Sequence, residues 1–138
     1  MPTWILIITC TMCWAIWPLV MKSASKSISP LMIQIVIAYV HSMLAPIMFL
    51  YMKASGVIAD WSPKGVVLAG LACVLTTTAS LSFSTALQRA PIHLVMGFVS
   101  IYPALTFALS TIFLGETVTI MKFFGIIVIG LGALMLSW

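Results

Sequence analysis

Pro91 to Leu114 reads PIHLVMGFVSIYPALTFALSTIFL, twenty-four residues with no Asp, Glu, Lys or Arg among them. A hydrocarbon core about 30 Å thick is crossed by roughly 20 apolar residues rising about 1.5 Å each, so this stretch can span a bilayer as a helix. A spanning strand would need short segments of alternating polarity, and this run is continuously apolar. Gln88-Arg89-Ala90-Pro91 reads as the tight turn that opens it, and Gly115-Glu116-Thr117 breaks the chain where it ends.

Outward from that block the pattern repeats. A first apolar block covers 3–21, with neither a basic leader nor a small-residue cleavage site, and reads as a retained helix. Ser29-Pro30 is an N-cap residue followed by proline at the first helical position, and opens a span over 30–52. Lys53 to Pro63 is the longest loop, and Ser62-Pro63 repeats the signal before a span over 64–87. The fifth span is 119–138. Hydrocarbon cannot satisfy free N–H and C=O groups, so helices are the economical solution for so little water-exposed chain. The sequence thus predicts an all-α, polytopic membrane protein of five transmembrane helices, residues 1–138 forming a single domain.

Composition agrees: 63% hydrophobic residues, 6% charged, and a mean hydropathy of +1.26, outside the range of soluble domains. Net charge is +4, but the six basic residues are scattered singly, without the stripe that neutralises a run of phosphates, so nucleic acid is not an expected partner. Cys10-x-x-Cys13 lacks further ligands nearby for a metal, and Cys10, Cys13 and Cys73 read as packing residues in apolar blocks. No metal or cofactor is expected. Asp60 and Glu116, the only carboxylates, lie in connections, which leaves no paired acids, no Ser-His-Asp set and no membrane-embedded acid for a proton relay. An enzyme is not expected.

The polar residues within the spans carry the functional expectations. Gln34, Ala38, His41 and Ala45 form one small or polar helix face, and His93, Gly97, Ser100 and Ala104 repeat that spacing. Thr78, Ser82 and Thr85 share a face of the third span; Thr11, Trp14 and Pro18 share one of the first, with Trp17 nearby. Helix packing explains such faces too: small residues permit close approach, and hydroxyls bond to neighbours or to their own i−4 carbonyls. His41 lies mid-span and needs a partner or water; His93 lies near a helix start. Trp14, Trp17, Gln34, His41, Thr78, Ser82, Ser100 and Tyr102 are the expected cavity residues. Pro18, Pro46 and Pro103 each remove a helix hydrogen bond, and Tyr102-Pro103 is a natural place for a pore-lining irregularity. Trp4, Trp61 and Trp138, at span ends, read as interfacial anchors. Glu116 suits the positive N-terminus of the last helix, a structural role of about 0.3–1 kcal/mol. Lys122 can snorkel to the interface. Gly125 and Gly132, seven residues apart, read as a packing face.

With five spans the termini lie on opposite sides. Lys53, Lys64 and Lys122 then fall on the N-terminal side and Lys22, Lys26 and Arg89 on the other, an even balance that gives the positive-inside rule nothing to act on. Dual insertion and pairing with an inverted copy is the functional reading of that balance.

The last third carries a resemblance. Ala86-Leu87 through Pro103 to Leu114-Gly115-Glu116-x-x-Thr119, then Lys122-x-x-Gly125 and Gly130-x-Gly132, resembles the second half of an EamA-type domain of the drug/metabolite transporter superfamily. Cys13-Trp14-Ala15 and Lys22 resemble the family's tryptophan-glycine entry and following lysine, with alanine where the family has glycine. Members commonly have ten spans, as two inverted five-span repeats around a central cavity. The resemblance therefore implies one inverted-repeat half of a ten-helix fold, with its solute site near the midplane of an antiparallel homodimer or of a pair with a homologous half-transporter. The function it implies is transport of a small metabolite (an amino acid, an amine or a related solute) in the cell (inner) membrane. The alternative is a small structural or assembly subunit within a larger membrane complex. A small multidrug exporter fits less well, since those four-helix proteins rely on a first-helix glutamate and the first span here has no acid.

Overall fold

The computed structural model describes residues 2–56, 62–117 and 119–137. Asp60, Trp61 and Trp138 therefore lie outside the described residues. Six helices follow in order: α1 (Thr3–Ala24), α2 (Pro30–Ala54), α3 (Pro63–Arg89), α4 (Ile92–Val99), α5 (Tyr102–Leu114) and α6 (Ile120–Ser137), with no strand among the described residues. Thr3–Ala24, Pro30–Ala54, Pro63–Arg89 and Ile92–Leu114 are each long and apolar enough to cross a membrane; Ile120–Leu136 is a shorter apolar helix. The chain is an integral membrane protein.

The ends of the helices are set by local chemistry. Ser29 is extended (φ −67°, ψ 153°) and its Oγ accepts from the Met32 N–H at 3.3 Å, satisfying one of the amides that a helix start leaves without a partner. Pro30, which has no N–H to satisfy, occupies the first turn. Ser62 Oγ accepts from Gly65 N–H at 3.4 Å and Thr119 Oγ1 from Lys122 N–H at 3.4 Å. At the other end of α5, Gly115 takes the left-handed conformation (φ 68°), which only glycine adopts without steric cost.

The fourth span differs from a single continuous helix. Its halves, α4 and α5, meet at Ser100–Ile101, where the Ile101 N–H bonds back to Phe98 O at 3.2 Å and the Ala104 N–H to Ile101 O at 3.0 Å. These are the tighter i→i+3 bonds of a 3₁₀ turn. Pro103 is the cause: it has no N–H for the Val99 carbonyl, and its ring crowds that carbonyl. α1 and α2 run through Pro18 and Pro46 without such a division.

Contacts divide the chain into two compact units, Met1–Gln88 and Arg89–Trp138. In the first, the buried residues gather where α1 ends, α2 begins and α3 ends: Pro18, Met21 and Ser25, Ile33 and Gln34, Ser84 and Leu87. Lipid is as apolar as leucine, so burial alone does not hold membrane helices together; close packing and hydrogen bonds between helices do. Lys22 Nζ donates to Leu87 O, and Gln88 Nε2 donates to Ser25 O at 2.9 Å and Ile28 O at 3.3 Å, tying the α1–α2 turn to the end of α3. In the second unit α4 packs on α6, with Val95, Gly97 and Ala133 buried. The inward positions of α6 are Ile126, Gly130 and Ala133, spaced i, i+4, i+7; Gly132 is half-buried and Gly125 exposed.

Candidate functional site

In the first unit the residues expected in a cavity fall into two groups. Gln34 is buried at 9% exposure, and its Nε2 donates to Ser80 Oγ at 2.7 Å, bridging α2 and α3. Trp17 is half-buried and stacks on Phe83 with ring centroids 5.1 Å apart and planes 24° apart, bridging α1 and α3. Trp14 sits 5.7 Å from Trp17, centroid to centroid, and is 59% exposed. An aromatic ladder, Trp14–Trp17–Phe83, thus leads from an exposed surface to the packed end of the unit. Sequence spacing alone does not single out Ser80 or Phe83. Ser80 belongs to a Thr76–Ser80–Ser84 stripe at i+4 spacing, a legible signal masked by the competing stripe of Thr78, Ser82 and Thr85. Phe83 carries no signal of its own inside an apolar run.

Most hydroxyls of α3 donate back into their own helix. Thr76, Thr77, Thr78, Ser82 and Thr85 each donate to the carbonyl four residues back, at 2.8 to 2.9 Å. A hydroxyl has one O–H and two lone pairs, so this back-bonding uses the donor and leaves the oxygen as an acceptor. Thr78 and Ser82 are exposed and present acceptor oxygens on one face of α3. That face suits a solute rich in N–H donors. His41 lies about 10 Å along α2 from Gln34 on the same face, at a rise of about 1.5 Å per residue, and is exposed. Tyr39, Val40, Met43, Leu44, Ile47 and Met48 around it are exposed as well.

In the second unit, Ser100 is half-buried at the α4–α5 junction and donates to Met96 O at 2.7 Å. Tyr102 and Pro103, at the start of α5, are exposed. Beyond Gly115 the chain turns toward α6. Glu116 there accepts from Ser110 Oγ of α5 at 3.0 Å. That contact ties the turn before α6 to α5. Lys122 Nζ reaches back along α6 to donate to Thr117 O at 3.2 Å, the snorkelling geometry. Cys10, Cys13 and Cys73 are exposed free thiols, and among the described residues no three His, Cys, Asp or Glu side chains come together as metal ligands would.

The EamA-like transporter family matches residues 1–138. A protein of Methanocaldococcus jannaschii, described only as uncharacterized, is 39% identical over 67 residues, which is 49% of this chain and 49% of that one. The matched region thus spans about half the length of that relative. No solved structure matches the chain.

Proposed function

The chain belongs to the EamA-like transporter family, and from that premise we propose that it moves a small metabolite, an amino acid, an amine or a related solute, through a cavity completed by a second copy in the opposite orientation. The observation that carries this reading is the polar face left open at mid-span. His41, exposed on α2, and the acceptor oxygens of Thr78 and Ser82 on α3 face outward from helices of membrane-spanning length. An imidazole facing hydrocarbon has its polar nitrogens unsatisfied, and polar groups at that depth characteristically face protein or a water-filled cavity. An inverted copy supplies the facing wall, with Trp14, Trp17 and Gln34 of the same unit nearer the solute than the lipid. The even division of Lys and Arg between the two sides supports insertion in both orientations. The membrane is the cell (inner) membrane.

The wall chemistry narrows the solute. Acceptor oxygens and aromatic faces attract N–H donors, and weakly hydrated amines by cation–π contact. No Asp or Glu lies within the spans to offset the desolvation of a strong cation, which tilts the solute toward a neutral or zwitterionic species. The test is flux: the full chain, purified and reconstituted alone into liposomes, is screened with radiolabelled amino acids, amines and sugar derivatives. Saturable uptake of a member of one class, by a chain that runs as a discrete dimer, is the expected result. A dimer that moves none of them would point instead to a structural or assembly subunit.

A further inference from the structure

The second unit also contains a groove between α5 and α6. Its walls are Pro103 and Phe107 on α5 and Gly125, Ile126 and Ile129 on α6, and its mouth carries Glu116 and Lys122. The two charges share the groove without pairing: no ion pair within 4.0 Å joins them. Glu116 uses one carboxylate oxygen, Oε2, to accept from Ser110, and among the described residues Oε1 has no partner. Lys122 gives one of its three N–H groups to Thr117 O and lies 5.8 Å over the Phe107 ring, which leaves two donors without a partner among the described residues. A fixed anion and a fixed cation at one mouth complement a ligand that carries both signs.

Depth fixes what kind of ligand. The mouth lies at the α5–α6 turn, where the spans end. Pro103 is eleven residues from Leu114, the end of α5, and Ile129 nine from Ile120, the start of α6, so the apolar walls descend about 13–17 Å at about 1.5 Å per residue. That is about half of a 30 Å hydrocarbon core, one leaflet's depth. Along that length the lining is apolar. A water-soluble zwitterion would leave it unfilled, whereas an acyl chain would occupy it.

We propose that this groove binds a phospholipid with a primary ammonium in its headgroup: the ammonium on Glu116, the phosphate on Lys122, and one acyl chain along Phe107, Gly125 and Ile129. A quaternary ammonium has no N–H to give the free Glu116 oxygen, and a headgroup without an amine places only negative charge beside that carboxylate. The site therefore selects a phosphoethanolamine headgroup over phosphocholine and phosphoglycerol.

The test is native mass spectrometry of the full chain in detergent, titrated with dioleoyl lipids carrying these three headgroups and with free phosphoethanolamine. Wild type should retain the phosphoethanolamine lipid about tenfold more strongly than either of the others, the ratio that one charge-assisted hydrogen bond supplies. Free phosphoethanolamine should not compete, because it cannot fill the apolar part. Glu116→Gln should erase the headgroup preference while leaving overall lipid retention. Gly125→Leu should reduce retention of all three lipids several-fold. A β-carbon at 125 meets nothing within 4 Å, so the larger side chain enters open space and the helix is kept, checked by circular dichroism. Equal retention of the three lipids by wild type would overturn the proposal. So would an unchanged preference in Glu116→Gln, or unchanged retention in a folded Gly125→Leu protein.

Discussion

Gln34 shows how far a single residue can be read from its neighbours in sequence. Its spacing from His41 places both on one face of α2, but its partner, Ser80, is 46 positions away, and no local pattern names that pairing. The Gln34–Ser80 hydrogen bond is an interhelical bond in the packed end of the first unit, and in membrane proteins such bonds couple by about 0.6 kcal/mol on average and up to about 1.7. We expect a Gln34→Ala, Ser80→Ala double-mutant cycle, measured by unfolding in detergent, to give a coupling in that range; additive effects would mean that the pair does not hold α2 to α3. His41 makes the opposite case, legible as a mid-span imidazole and exposed in the structure. No carboxylate lies within the spans, so we assign proton coupling to the mid-span imidazole of His41. Uptake of an identified substrate by His41→Ala should lose its response to an imposed proton gradient. An equal response in wild type and variant would leave the coupling to another group.

Elements were more legible than contacts. Ser29-Pro30, Ser62-Pro63 and the Gly115 turn mark helix ends because capping and left-handed backbone are local chemistry, satisfied by residues within three positions. The break in the fourth span was legible as an irregularity at Pro103; that it takes the form of a 3₁₀ turn at Ser100–Ile101 depends on which carbonyls the preceding residues reach, which spacing does not specify. Pro103→Ala restores one N–H to that junction, so we expect higher thermal stability in detergent together with lower flux, the bend being lost; unchanged flux would place the bend outside the transport cycle. The hydroxyl face of α3 divides stability from function in another way. Since Thr78 and Ser82 donate to their own helix, changing both to alanine should alter unfolding by no more than about 0.5 kcal/mol, as exposed substitutions do. Flux should nevertheless fall severalfold if their oxygens line the solute path. Gly97, buried in the helix that packs on α6, should behave differently: Gly97→Leu overfills that contact and should cost about 1–3 kcal/mol.

At the scale of the whole molecule, the all-helical membrane architecture follows from continuous apolar blocks and the impossibility of leaving backbone unsatisfied in lipid. How two copies would meet in the proposed dimer does not follow from hydropathy, because lipid and a partner helix present similar apolar surfaces to a residue such as Met43 or Ile47. What speaks to the pairing is charge: three basic residues on each side of the five-span arrangement. That balance is the most direct handle on the central claim, a transporter half that pairs with an inverted copy of itself. The measurement is a pair of C-terminal reporters on the otherwise unaltered chain, one active only in the cytoplasm and one only outside it. Both should give comparable signal, and two lysines added to the 53–63 loop should shift the population so that this loop faces the cytoplasm. Signal from one compartment alone in the unaltered chain would contradict an antiparallel homodimer.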